Sequence, residues 1–169
     1  MKKNIILTGF MGAGKSAVGK RLEAALQRRF ASTDELIEKH EKRPITDIFR
    51  DSGEAYFRDV ESEAVRQLSA LQGLVVDCGG GVVLRDENMQ NLKKNGIVFY
   101  LSATPEILYQ RVKGKKHRPL LNVDDPEQKI RELLATREPC YRRADHVIDT
   151  SDKTVEQVVA EIIALVRDE

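Results

Sequence analysis

The sequence predicts an α/β fold, an open parallel sheet with helices on both faces, and two observations carry the prediction. Short apolar runs of strand length alternate with amphipathic helical patterns from one end of the 169-residue chain to the other. Strands separated by helices run parallel and are covered on both sides. The second observation is a glycine-rich turn that joins the first strand to the first helix, where a backbone loop can meet a ligand.

The elements follow in order. Residues 4–7 form a short apolar strand, and a helical pattern runs from 15 to about 28. A weaker strand falls at 30–33, followed by helical patterns at 35–40, 45–50 and 54–71, the last broken off by Gly73. Residues 74–78 read as a strand, 86–95 as a helix stopped by Gly96, and 97–101 as another strand. Thr104-Pro105 and Asp125-Pro126 each pair a capping side chain with a proline that suits the first helical turn, the second opening a long helix to 143. A strand at 146–148 and an amphipathic helix at 154–167 close the chain. Only residues 113–125 lack a period, which marks a lid or an unstructured segment.

Composition narrows the function. Hydrophobic residues make up 41% and charged residues 33%, a globular balance in a length that suits one domain spanning 1–169. Lys plus Arg number 28 against 27 Asp plus Glu, so no global field recruits nucleic acid or anionic lipid. Aromatics are 5% and Trp is absent, which removes the stacking platform of a single-strand binder. No stretch reaches transmembrane length or reads as a signal peptide, and Cys78 and Cys140 lack metal-like spacing. Reduced packing thiols in a cytoplasmic protein are expected. His40, His117 and His146 show no ligand or relay spacing, and no heptad or apolar stripe calls for a partner, so a monomer is expected.

The turn after the first strand is GFMGAGKS, residues 9–16, matching G-x-x-x-x-G-K-[ST] at every fixed position. Gly9, Gly12 and Gly14 let successive N–H groups turn inward toward phosphate oxygens, and the helix opening at Lys15 adds its positive end. Lys15 is placed for the β- and γ-phosphates and the Ser16 hydroxyl for Mg²⁺, which predicts a bound nucleoside triphosphate, ATP or GTP. This motif alone does not separate kinases from switches or ATPases. Three further features bear on the choice: the basic stretch RVKGKKHRPLL within the aperiodic segment, arginines in FRDVE and TREPCYRR, and the run VVDCGGG. An arginine on a closing lid stabilises charge on a transferring phosphoryl group. Arginine forks match carboxylates with two bonds at once.

Taken together, GFMGAGKSAVGK, STDELIE, ITDIF with GEAYFRDVE, GGGVV, RPLL and REPCYRR resemble shikimate kinase over essentially the full length. The resemblance implies the fold of a P-loop NTPase of the nucleoside-monophosphate-kinase type: a three-layer sandwich with a five-stranded parallel sheet. It implies a lid at about 113–125, a substrate-binding helical region at about 34–62, and transfer of the ATP γ-phosphoryl group to the 3-hydroxyl of shikimate, on the route to chorismate and the aromatic amino acids. It assigns Gly12, Ala13, Gly14, Lys15, Ser16, Ala17, Arg111 and Arg118 to ATP, with Arg111 near the adenine and Arg118 on the lid. Asp34 would accept the proton of the attacking hydroxyl, Arg58 and Arg137 would hold the shikimate carboxylate, and Gly79, Gly80 and Gly81 would approach the substrate through main-chain N–H groups. Rival readings are a related kinase acting on gluconate or a nucleoside monophosphate, and a nucleotide-binding regulator without turnover.

At two positions the chain departs from the resemblance. The family pattern reads D-T-D where this chain has Ser32-Thr33-Asp34, and the earlier acid there helps to organise the water shell of Mg²⁺. Position 77, usually small or hydroxylic, is Asp77 after two valines at a strand end, an arrangement that holds Mg²⁺ in other P-loop enzymes. Asp77 is therefore expected to supply, outside the direct ligands, the carboxylate that Ser32 cannot.

Overall fold

The computed structural model describes residues 2–115 and 121–167. Strands β1 (Asn4–Thr8), β2 (Phe30–Ser32), β3 (Val75–Asp77), β4 (Gly96–Ser102) and β5 (His146–Asp149) form one parallel sheet in the order β2-β3-β1-β4-β5. Ile5, Ile6, Leu7, Val75 and Val76 are buried, as expected where helices cover both faces and successive side chains point opposite ways. Helices α1 (Lys15–Leu26) and α7 (Val155–Arg167) pack together, as do α3 (Ile45–Ser69) with α4 (Asp86–Asn95) and α5 (Pro105–Val112) with α6 (Pro126–Tyr141).

The crossover after β1 leads toward the β3 side of the sheet, whereas the one after β3 leads past β1 to β4. The carboxyl end of β1 is thus the point where strand order reverses, and ligands of open α/β sheets bind in that crevice. The glycine-rich turn at 9–14 lies there.

The elements read from the sequence are present, with shifted ends. Thr104 and Asp125 accept hydrogen bonds from the N–H groups of Ile107 and Gln128, and Pro105 and Pro126 sit in the first turns that follow. Helix α2 (Thr33–Glu41) starts earlier than the sequence indicates, because the Ser32 hydroxyl caps it by accepting from the Glu35 N–H at 3.3 Å. The patterns at 45–50 and 54–71 are one element, α3, broken at Gly53, whose φ of 83° and ψ of 170° leave the helical region. A 3₁₀ turn at Val82–Leu84 was not anticipated.

Two apolar clusters result. The larger surrounds the sheet, and a small one of Ile37, Ile48, Phe57 and Ala64 joins α2 to α3. The α2–α3 region therefore has a core of its own beside the sheet's carboxyl edge. Cys78 is fully buried in the main core, where burial pushes its thiol well up from the ordinary value, and both cysteines are free. Among the described residues no helix is long and apolar enough to cross a membrane.

Candidate active site

The turn after β1 needs glycine for two reasons. Gly12 and Gly14 have φ of 82° and 93°, a region that side chains disfavour. Space matters as well: a Cβ on Gly12 would lie 2.7 Å from Val112 Cγ1. The Lys15 ammonium donates to the carbonyls of Gly9 at 2.8 Å and Phe10 at 3.1 Å, which holds it against the loop. Arg111, on α5, donates to the Gly12 carbonyl at 3.3 Å and to the Thr150 hydroxyl and carbonyl at 3.0 and 2.8 Å. It ties the turn to the segment after β5. The Ser16 hydroxyl, in the first turn of α1, donates to Asp77 Oδ2 at 2.5 Å, and Asp77 is 7% exposed at the end of β3.

These groups line one cleft of about 800 Å³, a size that suits a nucleotide with part of a second ligand. Gly12 to Ala17, Ser32, Asp34, Asp77, Gly79, Gly80 and Arg111 all contribute to its wall. Arg58, Gly81 and Arg137 stand just beyond, around the glycine turn. Arg118 lies outside the described residues.

Space explains Gly79 and Gly81 better than backbone freedom does, since none of the three glycines has a positive φ. A Cβ on Gly79 would lie 2.6 Å from Asp34 Oδ1 and 3.2 Å from Glu61 Oε1. On Gly81 it would collide with the Arg58 guanidinium. At Gly80 a Cβ would meet Arg137 Nη1 at 3.5 Å, an ordinary contact, so crowding does not account for that glycine. The turn thus makes room for the chain's own charged groups, which the sequence did not indicate. The Gly79 N–H donates to the Thr33 hydroxyl at 2.8 Å. That bond anchors the start of α2, and with it Asp34, to the turn.

The charges around the turn are unequally matched. Arg58 donates to Glu61 Oε2 at 2.7 Å, and both are mostly buried, at 12% and 1% side-chain exposure. Burial pushes the Glu61 carboxyl up, and the Arg58 charge opposes that shift. Arg137, 8% exposed, lies over the Phe10 ring at 5.8 Å and makes no direct ion pair among the described residues, though its charge also favours the ionised Glu61 carboxyl. Its neighbour Tyr141, one helical turn on, donates its hydroxyl to the Gly80 carbonyl at 2.6 Å and stacks on Tyr100 at 4.9 Å. Burial pushes the Tyr141 phenol up to about 12, so it is a neutral donor at physiological pH.

The shikimate kinase family model matches residues 11–167. The chain belongs to the shikimate kinase family. A shikimate kinase of Caldanaerobacter subterraneus subsp. tengcongensis is 50% identical over 161 residues, 95% of this chain and 94% of that relative. Among solved structures, the shikimate kinase from Acinetobacter baumannii in complex with shikimate superposes with a TM-score of 0.94 at 38% identity, covering 99% of this chain and 94% of that one. The shikimate kinase from Aquifex aeolicus gives 0.82 at 33% identity, with 98% and 96% covered. A gluconokinase from Sinorhizobium meliloti, 19% identical with a TM-score of 0.64, shares the fold alone.

Within this member of the shikimate kinase family, three contributors to the site escaped the sequence reading: Thr33, Glu61 and Tyr141. A signal existed for two of them. Glu61 follows Arg58 by three positions and Tyr141 follows Arg137 by four, the spacings at which helical side chains share a face. Thr33 had none, since its bond to Gly79 joins segments distant in sequence.

The crowding at the turn yields a direct test. Gly81 has a φ of −96° that alanine accepts, so Gly81→Ala acts through the collision with Arg58 alone. Overpacking of this kind costs about 1–3 kcal/mol. Thermal unfolding should show that loss, and the variant should bind shikimate more weakly with unchanged ADP affinity. Equal weakening for both ligands would mean that the turn and nucleotide site move as one.

Proposed function

We propose that this chain transfers the γ-phosphoryl group of ATP to the 3-hydroxyl of shikimate, giving shikimate 3-phosphate and ADP. The observation that carries this reading is Arg137, a buried guanidinium with no direct ion pair among the described residues, next to a cleft walled by a phosphate-binding turn. A buried charge is costly until it is paired, and a guanidinium fork suits a carboxylate. Arg137 and Arg58 hold the shikimate carboxylate between them. The main-chain N–H groups of Gly79, Gly80 and Gly81 approach the same ligand.

At the other end of the cleft, the N–H groups of Gly12 to Ala17 and the Lys15 ammonium receive the ATP phosphates. Moving Lys15 from the Gly9 and Phe10 carbonyls to phosphate oxygens needs only rotation of its flexible stem. Arg111 lies at the base end, fixed by Thr150. Asp34 accepts a hydrogen bond, and then the proton, from the attacking hydroxyl, with Arg118 assigned to the transferring phosphoryl group.

The donor set also fits Mg²⁺. No group of three or more His, Cys, Asp or Glu able to hold a metal exists among the described residues. The Ser16 hydroxyl, in the cleft and donating to Asp77, would suit an ion bound mainly by phosphate oxygens and waters. When bound, Mg²⁺ neutralises charge building between the β- and γ-phosphates. On this reading the protein acts on small molecules, as a monomer in the cytoplasm.

ADP release is the measurement. It should be slow without an acceptor, rise on adding shikimate, and stay at its base level with gluconate or nucleoside monophosphates. Stimulation by one of those acceptors in place of shikimate would overturn the substrate assignment. ADP release that no acceptor changes would favour a regulator without turnover.

A further inference from the structure

We infer that in this chain the carboxylate of the divalent-cation site stands on β3, beside the position of Ser32 on β2, where Asp77 carries it and acts through the Ser16 hydroxyl. The inference rests on the ATP-dependent reading above and deepens it.

Register is the first ground. Ser32 and Asp77 are direct partners across β2 and β3, and Asp77 is in turn the partner of Leu7 on β1. Paired residues of neighbouring parallel strands face the same way, about 4.8 Å apart. Ser32 and Asp77 both reach the wall of the cleft that holds the phosphate-binding turn. A carboxylate at either position therefore looks onto the same space from the same level of the sheet.

The hydrogen-bond pattern is the second ground. A serine hydroxyl has one proton and two lone pairs. Ser16 gives that proton to Asp77 Oδ2, so its oxygen can offer only lone pairs to the cleft, the form a hard cation requires. Asp77 thus aims the one protein hydroxyl suited to the cation. Partners that orient a metal ligand in this way change affinity substantially when removed.

Burial is the third ground. Asp77 is 7% exposed, and no ion pair is made with it among the described residues. The hydrogen bond that it accepts comes from a neutral hydroxyl, not from main-chain N–H groups of the turn. A carboxylate that merely closed the turn would be satisfied by those N–H groups, as Thr33 satisfies that of Gly79. A buried negative charge facing a phosphate-binding turn is tolerable where a cation will sit between them.

Ser32, for its part, is occupied with capping α2. Aspartate caps a helix as well as serine does, so Ser32→Asp keeps α2 in place while adding a carboxylate at the β2 position.

The test uses the full chain with ADP and Mn²⁺ as the spectroscopic probe, so that no turnover is involved. Mn²⁺ affinity for the ADP complex is read by electron paramagnetic resonance, and metal-free ADP affinity by calorimetry. Asp77→Asn preserves shape and the acceptor for Ser16 while removing the charge. It should weaken Mn²⁺ binding on the order of 10–100-fold and leave metal-free ADP binding near its original value. Adding Ser32→Asp to that variant should return most of the lost Mn²⁺ affinity. Unchanged Mn²⁺ affinity in Asp77→Asn would overturn the inference, as would a matched loss of metal-free ADP binding, which would mark a structural role. A double variant no better than Asp77→Asn would overturn the equivalence of the two positions. An unaltered chain that binds no ADP would instead overturn the nucleotide reading itself.

Discussion

Asp34→Asn should lower turnover on the order of 10²–10⁴-fold, the contribution typical of a positioned base, while ATP affinity stays near that of the unaltered chain. The substitution is nearly isosteric and leaves a hydrogen-bond acceptor in place. Its backbone is held independently of the side chain, by the Ser32 cap and by the Thr33–Gly79 bond on either side of the α2 start. Any effect therefore belongs to the lost carboxylate charge and proton acceptance. Phosphoryl transfer has a loose transition state and asks little covalent help of the protein, so positioning of the hydroxyl contributes too. Asp34→Ala, which removes the acceptor as well, should be lower still. Single-turnover rates with preformed ternary complex measure both variants free of product release. Asn activity equal to that of the unaltered chain would remove Asp34 from the chemistry.

Arg137→Ala should weaken shikimate binding with ADP binding unaffected. Losing one partner of a desolvated charge pair costs about 2–5 kcal/mol, or roughly 30- to 4,000-fold in affinity. Arg137→Lys retains the charge but not the fork, and should recover only part of the loss. Arg58→Ala should behave differently, for a reason visible in the structure. Arg58 is already paired with buried Glu61, so its removal leaves a carboxylate without a partner and destabilises the fold by about 3–5 kcal/mol. Arg137 acts on the same carboxylate only at a distance, without a direct ion pair, so its removal should cost the fold less. Calorimetric shikimate binding together with thermal unfolding separates the cases: an Arg137 loss seen in stability but not in binding would make it a packing residue over Phe10.

Much of this is legible in the sequence. The phosphate-binding turn depends on spacing within eight residues, and the proline-opened helices on a side chain and ring in adjacent positions. Alternating strand and helix periods are likewise local properties, which is why the order of elements was readable while their ends were not. The start of α2 was misplaced because Ser32 could end a strand or cap a helix, and it does both. The role of GGG was legible only in part. Its want of side chains pointed to a close approach, but that Asp34, Glu61 and Arg58 are what approach depends on helices packed against the turn from elsewhere in the chain.

By itself, then, the sequence determined the layered α/β architecture, the phosphate-binding turn and the residue types available to the cleft, because each is encoded in periodicity or short spacing. Only the tertiary structure decided which charges are matched: Arg58 pairs directly with Glu61, Arg137 makes no direct ion pair among the described residues, and Ser16 turns its proton to Asp77. It also decided that Ser32 and Asp77 stand side by side. Strand register joins residues far apart in the chain, and it is set by which apolar faces pack together across the whole sheet rather than by any local pattern.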